Sequence, residues 1–245
     1  MDQTHSEKQS QVNISKENHV HIEGIHYPGE TGVIYAHLAR PIDGVQYPGV
    51  LVIHENRGLN PHIRDVTERV AAKGFVAVAS DALSPVGGTP EDSDEARSQI
   101  QQLDTTSTIK NFVAAVKYLK THPNTTGKVG VMGFCWGGGM TNQVAVNSPD
   151  VHAVVPFYGR QPASEDVPKI KAPLLIHYAS HDERINAGIP AFEAALKDSA
   201  IEYTIFMYEG TQHAFFNDTG PRYHEAAAKL AWDRTITFLK QKLTT

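Results

Sequence analysis

The stretch Lys128-Val-Gly-Val-Met-Gly-Phe-Cys-Trp-Gly-Gly-Gly139 decides the fold, and it carries the only cysteine of the chain, Cys135. Apolar and small residues run directly into Gly-x-Cys-x-Gly, and a segment compatible with a helix follows. This layout is typical of a nucleophile elbow, a sharp turn from a strand into a helix. A single cysteine is more often a buried apolar residue, but Gly133 and Gly137 flank Cys135 where such a turn excludes a Cβ atom. The stretch therefore predicts a reactive thiol.

The composition is that of an ordinary globular protein: 245 residues, 40% hydrophobic and 20% charged, with a formal net charge of −5. Without a Lys/Arg cluster or a run of about 20 apolar residues, nucleic-acid binding and membrane insertion are not expected. The N-terminus has no apolar signal core, and one cysteine excludes an internal disulfide, so a cytoplasmic protein is predicted. We expect no metal or cofactor, a small-molecule substrate, and a monomer or weak homodimer.

Strand and helix patterns alternate along most of the chain. Residues 1–17 are polar and predict a disordered tail, and residues 18–245 predict one domain. Alternating apolar residues around the turn at 28–32 predict an antiparallel hairpin. The rest predicts a mainly parallel sheet with helices on both faces, an α/β fold. Strands are expected at about 49–54, 74–79, 129–132, 152–157, 173–178 and 202–208. Helices are expected at about 62–73 (capped by Asn60), 137–147, 187–199 and 221–242, and helical segments fill about 91–120.

A thiol becomes a good nucleophile only when a neighbouring base or a lowered pKa removes its proton. A position at a helix N-terminus favours the thiolate of Cys135, and a histidine held by a carboxylate is the expected base. In elbow hydrolases the acid and then the histidine follow the nucleophile along the chain. The strand pattern at 174–178 leads to Asp182, and the pattern at 205–208 leads to His213. Glu183 is an alternative to Asp182 as the acid.

Two further features surround the predicted nucleophile. An oxyanion hole needs two backbone donors, and the N–H groups of Trp136 and Asn56 are the candidates. Glu55, in the loop His54-Glu-Asn-Arg-Gly58, is a carboxylate that competes with the histidine for the thiol proton if it lies near Cys135. A structural ion pair with Arg57 or Arg64 is the alternative role for Glu55.

Several motifs together resemble the dienelactone hydrolase (carboxymethylenebutenolidase-like) family of α/β-hydrolases. They are Gly-Phe-Cys-Trp-Gly-Gly, the glutamate loop, Ser-His-Asp182 and Gln-His-Ala-Phe215, in the family's order and within about 20–242. The resemblance implies an α/β-hydrolase fold and a triad of Cys135, His213 and Asp182 that hydrolyses an ester or lactone through an acyl-enzyme. It also implies that Glu55 controls protonation of the thiol. Tyr158, in Phe157-Tyr-Gly159, and Phe215 are then candidate substrate contacts.

The chain departs from the family where dienelactone itself is held. Family members that cleave dienelactone clamp its carboxylate with two arginines, and Ser80–Gly88 and His213–Asp218 contain none. Since asparagine does not replace a bidentate arginine, a general esterase or lactonase for small esters is expected. Arg57 is a candidate for binding an anion from another direction. A thioesterase or peptidase with the same triad, and a non-catalytic binding protein on this scaffold, are the alternatives.

Overall fold

The computed structural model describes residues 13–15 and 19–244, and the strands of this part form one nine-stranded sheet. The strands are β1 Asn13–Ser15, β2 Val20–Gly29, β3 Gly32–Pro41, β4 Tyr47–Ile53, β5 Val76–Ser80, β6 Thr125–Phe134, β7 Ala153–Phe157, β8 Leu174–His181 and β9 Tyr203–Gln212. The helices are α1 Pro61–Ala71, α2 Ser93–Gln102, α3 Thr105–Thr121, α4 Trp136–Asn147, α5 Glu183–Asn186, α6 Ile189–Asp198 and α7 Glu225–Leu243.

The sheet has the order β1-β2-β3-β5-β4-β6-β7-β8-β9. Strands β4 to β9 run parallel to their neighbours, whereas β2 and β3 form an antiparallel hairpin and β3 pairs antiparallel with β5. The predicted α/β fold, a mainly parallel sheet with an antiparallel N-terminal hairpin, is therefore confirmed. Residues 13–15, which the composition assigned to a disordered tail, form β1 beside β2; the rest of that predicted tail lies outside the described residues.

Both faces of the sheet are covered, as the continuous apolar strands predict. In β4, Leu51 and Ile53 belong to one buried cluster with residues of α3, α4 and α6. Val50 and Val52 belong to a second cluster with residues of α1 and α7. The period of two along the strand thus supplies both layers of the core. No helix of the described part has the length and apolar character needed to cross a membrane.

Helix boundaries follow local capping. The side chain of Asn60 accepts a hydrogen bond from the N–H of Ile63 and begins α1, as predicted. The helical segments predicted over 91–120 are two helices, α2 and α3, because Asp104 caps the second by accepting from the N–H of Ser107. The last helix begins at Glu225 rather than at 221, since His224 provides its cap. These differences move helix ends but leave the order of elements unchanged.

Candidate active site

Cys135 lies at the turn between β6 and α4 with a backbone φ of 57° and ψ of −117°. A non-glycine residue there costs about 1–3 kcal/mol and persists only where the surroundings enforce it. Two glycines allow the turn: a Cβ atom on Gly133 would collide with the carbonyl of Gly137, and one on Gly137 with the carbonyls of Ile53 and His54. The backbone N–H of Cys135 donates to the carbonyl of Phe157 (3.0 Å). The strained turn of a nucleophile elbow is present.

Gly137→Ala is expected to destabilise the protein by about 3 kcal/mol or more, because the new methyl group meets backbone atoms that cannot rotate away. Gly139→Ala is the matched control in the same helix, since its Cβ atom would lie 3.5 Å from Cβ of Arg160, an ordinary contact. Urea unfolding of the two variants makes the comparison. Equal stabilities would show that the elbow tolerates a Cβ atom at Gly137.

Asp182 and His213 meet at the same edge of the sheet. Asp182 follows β8 directly and His213 follows β9 directly. Nδ1 of His213 lies 2.5 Å from Oδ2 of Asp182, and both side chains are largely buried. Glu183, the alternative acid, is exposed in α5. The structure therefore pairs His213 with Asp182.

The other ring nitrogen of His213, Nε2, is buried and makes no regular hydrogen bond with any described group. Burial by itself lowers the pKa of His213, but the hydrogen bond to Asp182, the contact with Cys135 and the charges of both residues raise the pKa to about 9. Cys135, His213 and Asn56 line a common cavity. The structure thus brings the three predicted triad residues together, with the imidazolium form of His213 favoured at neutral pH.

The raised pKa of His213 makes a pH-dependent contribution to stability. The folded-state value, about 9, exceeds the ordinary value of 6.5, so the contribution is complete below about pH 6.5 and disappears as the pH rises through about 9. We expect wild type to exceed His213→Gln in free energy of unfolding near neutral pH, by a margin that shrinks toward about pH 10. Denaturant titrations of both proteins over this range measure the margin. A margin independent of pH contradicts the assignment.

The predicted oxyanion donors come from two segments of the chain that line one cavity with Cys135. Trp136 is the first residue of α4, and Asn56 lies in the loop after β4. Among the described groups, neither backbone N–H has a protein acceptor. Two free N–H groups beside a nucleophile are what stabilisation of an oxyanion requires.

Glu55 is buried beside the site and accepts a hydrogen bond from the side-chain amide of Asn217 (2.7 Å). The ion pair considered for Glu55 with Arg57 or Arg64 does not form among the described residues, since Arg57 instead pairs with Asp94 (2.6 Å). Glu55 and Asn217 line one cavity together with Cys135 and His213. The carboxylate therefore lies near the thiol, and no cation of the described residues is paired to it.

His54 holds the glutamate loop in place, a role for which the sequence offered no signal. The ring is fully buried, and this burial lowers its pKa. Its Nε2 lies 3.1 Å from the N–H of Ala82, and its Nδ1 lies 2.6 Å from the carbonyl oxygen of Glu55. Since Nε2 accepts, the proton is on Nδ1, which donates to Glu55. A neutral imidazole thus connects the end of β5 to the loop that carries Glu55 and Asn56.

The two aromatic residues proposed as substrate contacts lie in different places. Tyr158 lines the cavity beside Cys135, with its ring centroid 4.9 Å from that of His213. Burial, followed by the charges of Glu55 and Cys135, raises the pKa of Tyr158; its hydroxyl approaches the N–H of Phe216 without regular hydrogen-bond geometry. Phe215 is fully buried and packs behind Tyr158, away from the cavity lining. This position corrects the proposed contact between Phe215 and substrate.

A mainly parallel sheet with a cysteine at its nucleophile elbow, and with an acid and a histidine after later strands, defines an α/β-hydrolase. The chain belongs to the dienelactone hydrolase family: the model of that family matches residues 34–243. It is accordingly an enzyme of the carboxylic ester hydrolase class.

Relatives agree with this assignment. A Synechocystis protein that bears the provisional name carboxymethylenebutenolidase is 33% identical, over 88% of this chain and 95% of its own length. A Bradyrhizobium protein provisionally named as a 2-oxo-3-(5-oxofuran-2-ylidene)propanoate lactonase is 32% identical, over 85% of this chain and 89% of its own. A solved structure from Klebsiella pneumoniae, also provisionally named a dienelactone hydrolase, has a TM-score of 0.82 at 24% identity, over 91% of this chain and 99% of its own. This last likeness bears on the fold alone.

Proposed function

We propose that the protein hydrolyses carboxylic esters or lactones through an acyl-enzyme formed on Cys135. The observation that carries the proposal is that Cys135, His213 and Asn56 line one cavity while Asp182 holds the far nitrogen of His213. A nucleophile, a base and an acid in contact are the requirements of a catalytic triad. The lactonase-type name of the Bradyrhizobium relative agrees with this substrate class.

The mechanism has two halves. The Cys135 thiolate attacks the carbonyl carbon, and the oxyanion accepts hydrogen bonds from the N–H groups of Asn56 and Trp136. The carbon–oxygen bond to the leaving alcohol breaks, and the imidazolium of His213 gives its proton to that oxygen. A water molecule then attacks the thioester while the neutral His213 takes its proton, and the acid and the thiolate are released. Asp182 holds the His213 ring in place in both halves and stabilises its imidazolium form whenever the ring is protonated.

Glu55 controls the protonation of the thiol in this proposal. It is buried, and within the described part of the chain it has no paired cation and accepts one side-chain hydrogen bond, from Asn217. A carboxylate placed beside a thiolate repels it. A substrate that displaces Asn217 from Glu55, or a proton moved from the thiol to Glu55, changes how much thiolate is present. The cytoplasmic location and the small-molecule substrate remain part of this proposal.

The test is to trap the acyl-enzyme. Mixing the protein with p-nitrophenyl acetate should give a burst of one p-nitrophenolate per active site when deacylation is the slower step. Mass spectrometry after an acid quench should place one acetyl group on the peptide that contains Cys135. Hydrolysis without any adduct on that peptide under burst conditions contradicts the mechanism. Faster turnover of an acyl thioester than of the matched oxygen ester favours the thioesterase alternative.

A further inference from the structure

Two cavities of different character meet at Cys135. The larger one, of about 890 Å³, is lined by Ile100, Trp136, Met140, Ile185 and Phe192, together with polar side chains such as Arg160 and Gln161. Because more of its lining surface is apolar than polar, we call it the apolar cavity. The smaller one, of about 380 Å³, is lined by Glu55, Arg57, Arg97, Arg184 and Arg222 among others, and we call it the basic cavity. Both are also lined by Asn56, Cys135, Arg184 and His213. A carbonyl held at Cys135 therefore has one substituent directed to each side.

The arginines of the basic cavity come from four separate segments of the chain. Arg57 follows β4, Arg97 is in α2, Arg184 is in α5, and Arg222 lies between β9 and α7. Arg57 is neutralised by Asp94, whereas the other three form no ion pair within the described residues. Like charges around one cavity repel each other and raise the local concentration of anions.

The net charge of the protein does not explain why four arginines line one cavity. Its formal net charge is −5, with 22 basic and 27 acidic residues, so an average surface region would carry a slight negative charge. Among the described residues that line the basic cavity, Glu55 is the only carboxylate, and one of its oxygens already accepts a hydrogen bond from Asn217. Arg222 lies close enough to the candidate site to oppose the rise in the pKa of Tyr158 that burial causes. A group of negative charge is the ligand that this cavity fits.

The apolar cavity fits a different group. Its volume, about 890 Å³, is near the upper end of the range of about 300–1,000 Å³ that is usual for small-molecule sites. Trp136 and Phe192 offer flat apolar surface there, and Met140 offers a side chain that adapts to irregular shapes. An acetyl or methyl group would leave most of this volume unfilled. The part of a substrate that fits this cavity therefore has several carbon atoms or a ring.

We propose that the substrate is an ester with two unlike arms, a carboxylate-bearing arm held in the basic cavity and a larger apolar arm held in the apolar cavity. This inference rests on the proposed function, because it takes Cys135 as the point of attack. It assigns a role in substrate selection to Arg97, Arg184 and Arg222. The sequence pattern had singled out none of these three arginines. Arg57 has a smaller part, since Asp94 already satisfies it.

The experiment compares esters with and without a carboxylate. In the first pair the acyl arm is varied: mono-p-nitrophenyl adipate carries a carboxylate there, and p-nitrophenyl hexanoate does not. In the second pair the alcohol arm is varied: the hexanoate ester of p-hydroxybenzoate carries a carboxylate, and the hexanoate ester of methyl p-hydroxybenzoate is neutral. We expect kcat/KM to favour the anion by about tenfold or more in one of the pairs at low salt, and the preference to shrink as salt is added.

Arginine variants then locate the preference. Arg97→Gln and Arg222→Gln are each expected to lower the anion-to-neutral ratio of kcat/KM by about fivefold, the fold-change that corresponds to an exposed ion pair near the upper end of its usual strength. Arg64→Gln, an exposed arginine of α1 outside both cavities, removes the same charge and should keep the wild-type ratio. A wild-type ratio near one in both pairs, or equal ratios in all three variants, overturns the inference.

The inference and the proposed function fail separately. If no ester is hydrolysed, the proposed function fails, but binding can still be measured by calorimetric titration of Cys135→Ala. One pair of ligands is the hexanoate ester of p-hydroxybenzoate and that of its methyl ester. The other pair is adipate monomethyl ester and methyl hexanoate, and in each pair the first ligand is the anion. Tighter binding of the anion in one pair, lost in Cys135→Ala/Arg222→Gln, supports the basic cavity without any turnover. Equal binding in both pairs contradicts it. If neutral and anionic esters are hydrolysed equally, the esterase function stands and the inference falls.

Discussion

Cys135→Ala should lower kcat/KM for ester hydrolysis by about 10⁴-fold or more, because the attacking atom is removed while the cavity is preserved. The side chain is half-buried at the elbow, and alanine has the same Cβ atom, so the backbone strain at Cys135 is unchanged. Steady-state assays with p-nitrophenyl butyrate measure the loss, and thermal unfolding verifies that the fold persists. An alanine variant within about tenfold of wild type would mean that the nucleophile lies elsewhere.

Cys135→Ser is the matched variant, since it replaces only sulfur by oxygen. We expect it to lose most of the activity, because a hydroxyl keeps its proton until the moment of attack. The buried carboxylate of Glu55 opposes that proton transfer, since the charge that must develop on oxygen lies beside it. A serine enzyme more active than wild type would show that Glu55 is not adapted to a thiol.

Asp182→Asn is expected to lower kcat/KM by about 10³–10⁴-fold. Asp182 lies 2.5 Å from Nδ1 of His213 and contributes to the raised pKa of that ring. Asparagine fills the same space without the charge and turns an N–H toward the imidazole, which favours the wrong tautomer. The ester assay that measures Cys135→Ala also measures this variant.

Glu183→Gln is the control, because Glu183 adjoins Asp182 in the chain and is exposed to solvent. It should stay within about threefold of wild type, as is usual for an exposed side chain without a partner in the site. A histidine NMR titration adds a second readout: the pKa of His213 should fall from about 9 when the Asp182 carboxylate is lost. A large loss of kcat/KM in Glu183→Gln together with a mild effect of Asp182→Asn would show that Glu183, and not Asp182, is the acid of the triad.

The fold was largely predictable because its signals are local. The continuous apolar run at 49–54 and the alternation of strands with helices indicated a sheet buried on both faces, and β4 with its two core clusters confirms this. The elbow was predictable because Gly133 and Gly137 are the residues that its turn requires. Helix ends were less predictable, since Asp104 and His224 act as caps only in the backbone conformation that the fold gives them.

The contacts of the candidate site divide in a similar way. Asp182 and His213 could be nominated because each follows a strand pattern, and parallel strands bring their carboxyl ends to one edge. The hydrogen bond between Asn217 and Glu55 joins positions 162 apart, and no local pattern foretells it. The same holds for His54, whose ring contacts the backbone of Ala82, and for Phe215, which packs behind Tyr158.

By itself, the sequence determined the α/β architecture, the elbow with Cys135, and the order of acid and histidine, because periodicity, glycine placement and strand ends are encoded in neighbouring residues. It also indicated that the two family arginines are missing from Ser80–Gly88 and His213–Asp218. Only the tertiary structure decided that Arg97, Arg184 and Arg222 meet at the basic cavity. The three arginines lie in α2, in α5 and between β9 and α7, which are far apart in the sequence. They come together only because the whole domain packs around one sheet, so no single stretch of chain predicts their position.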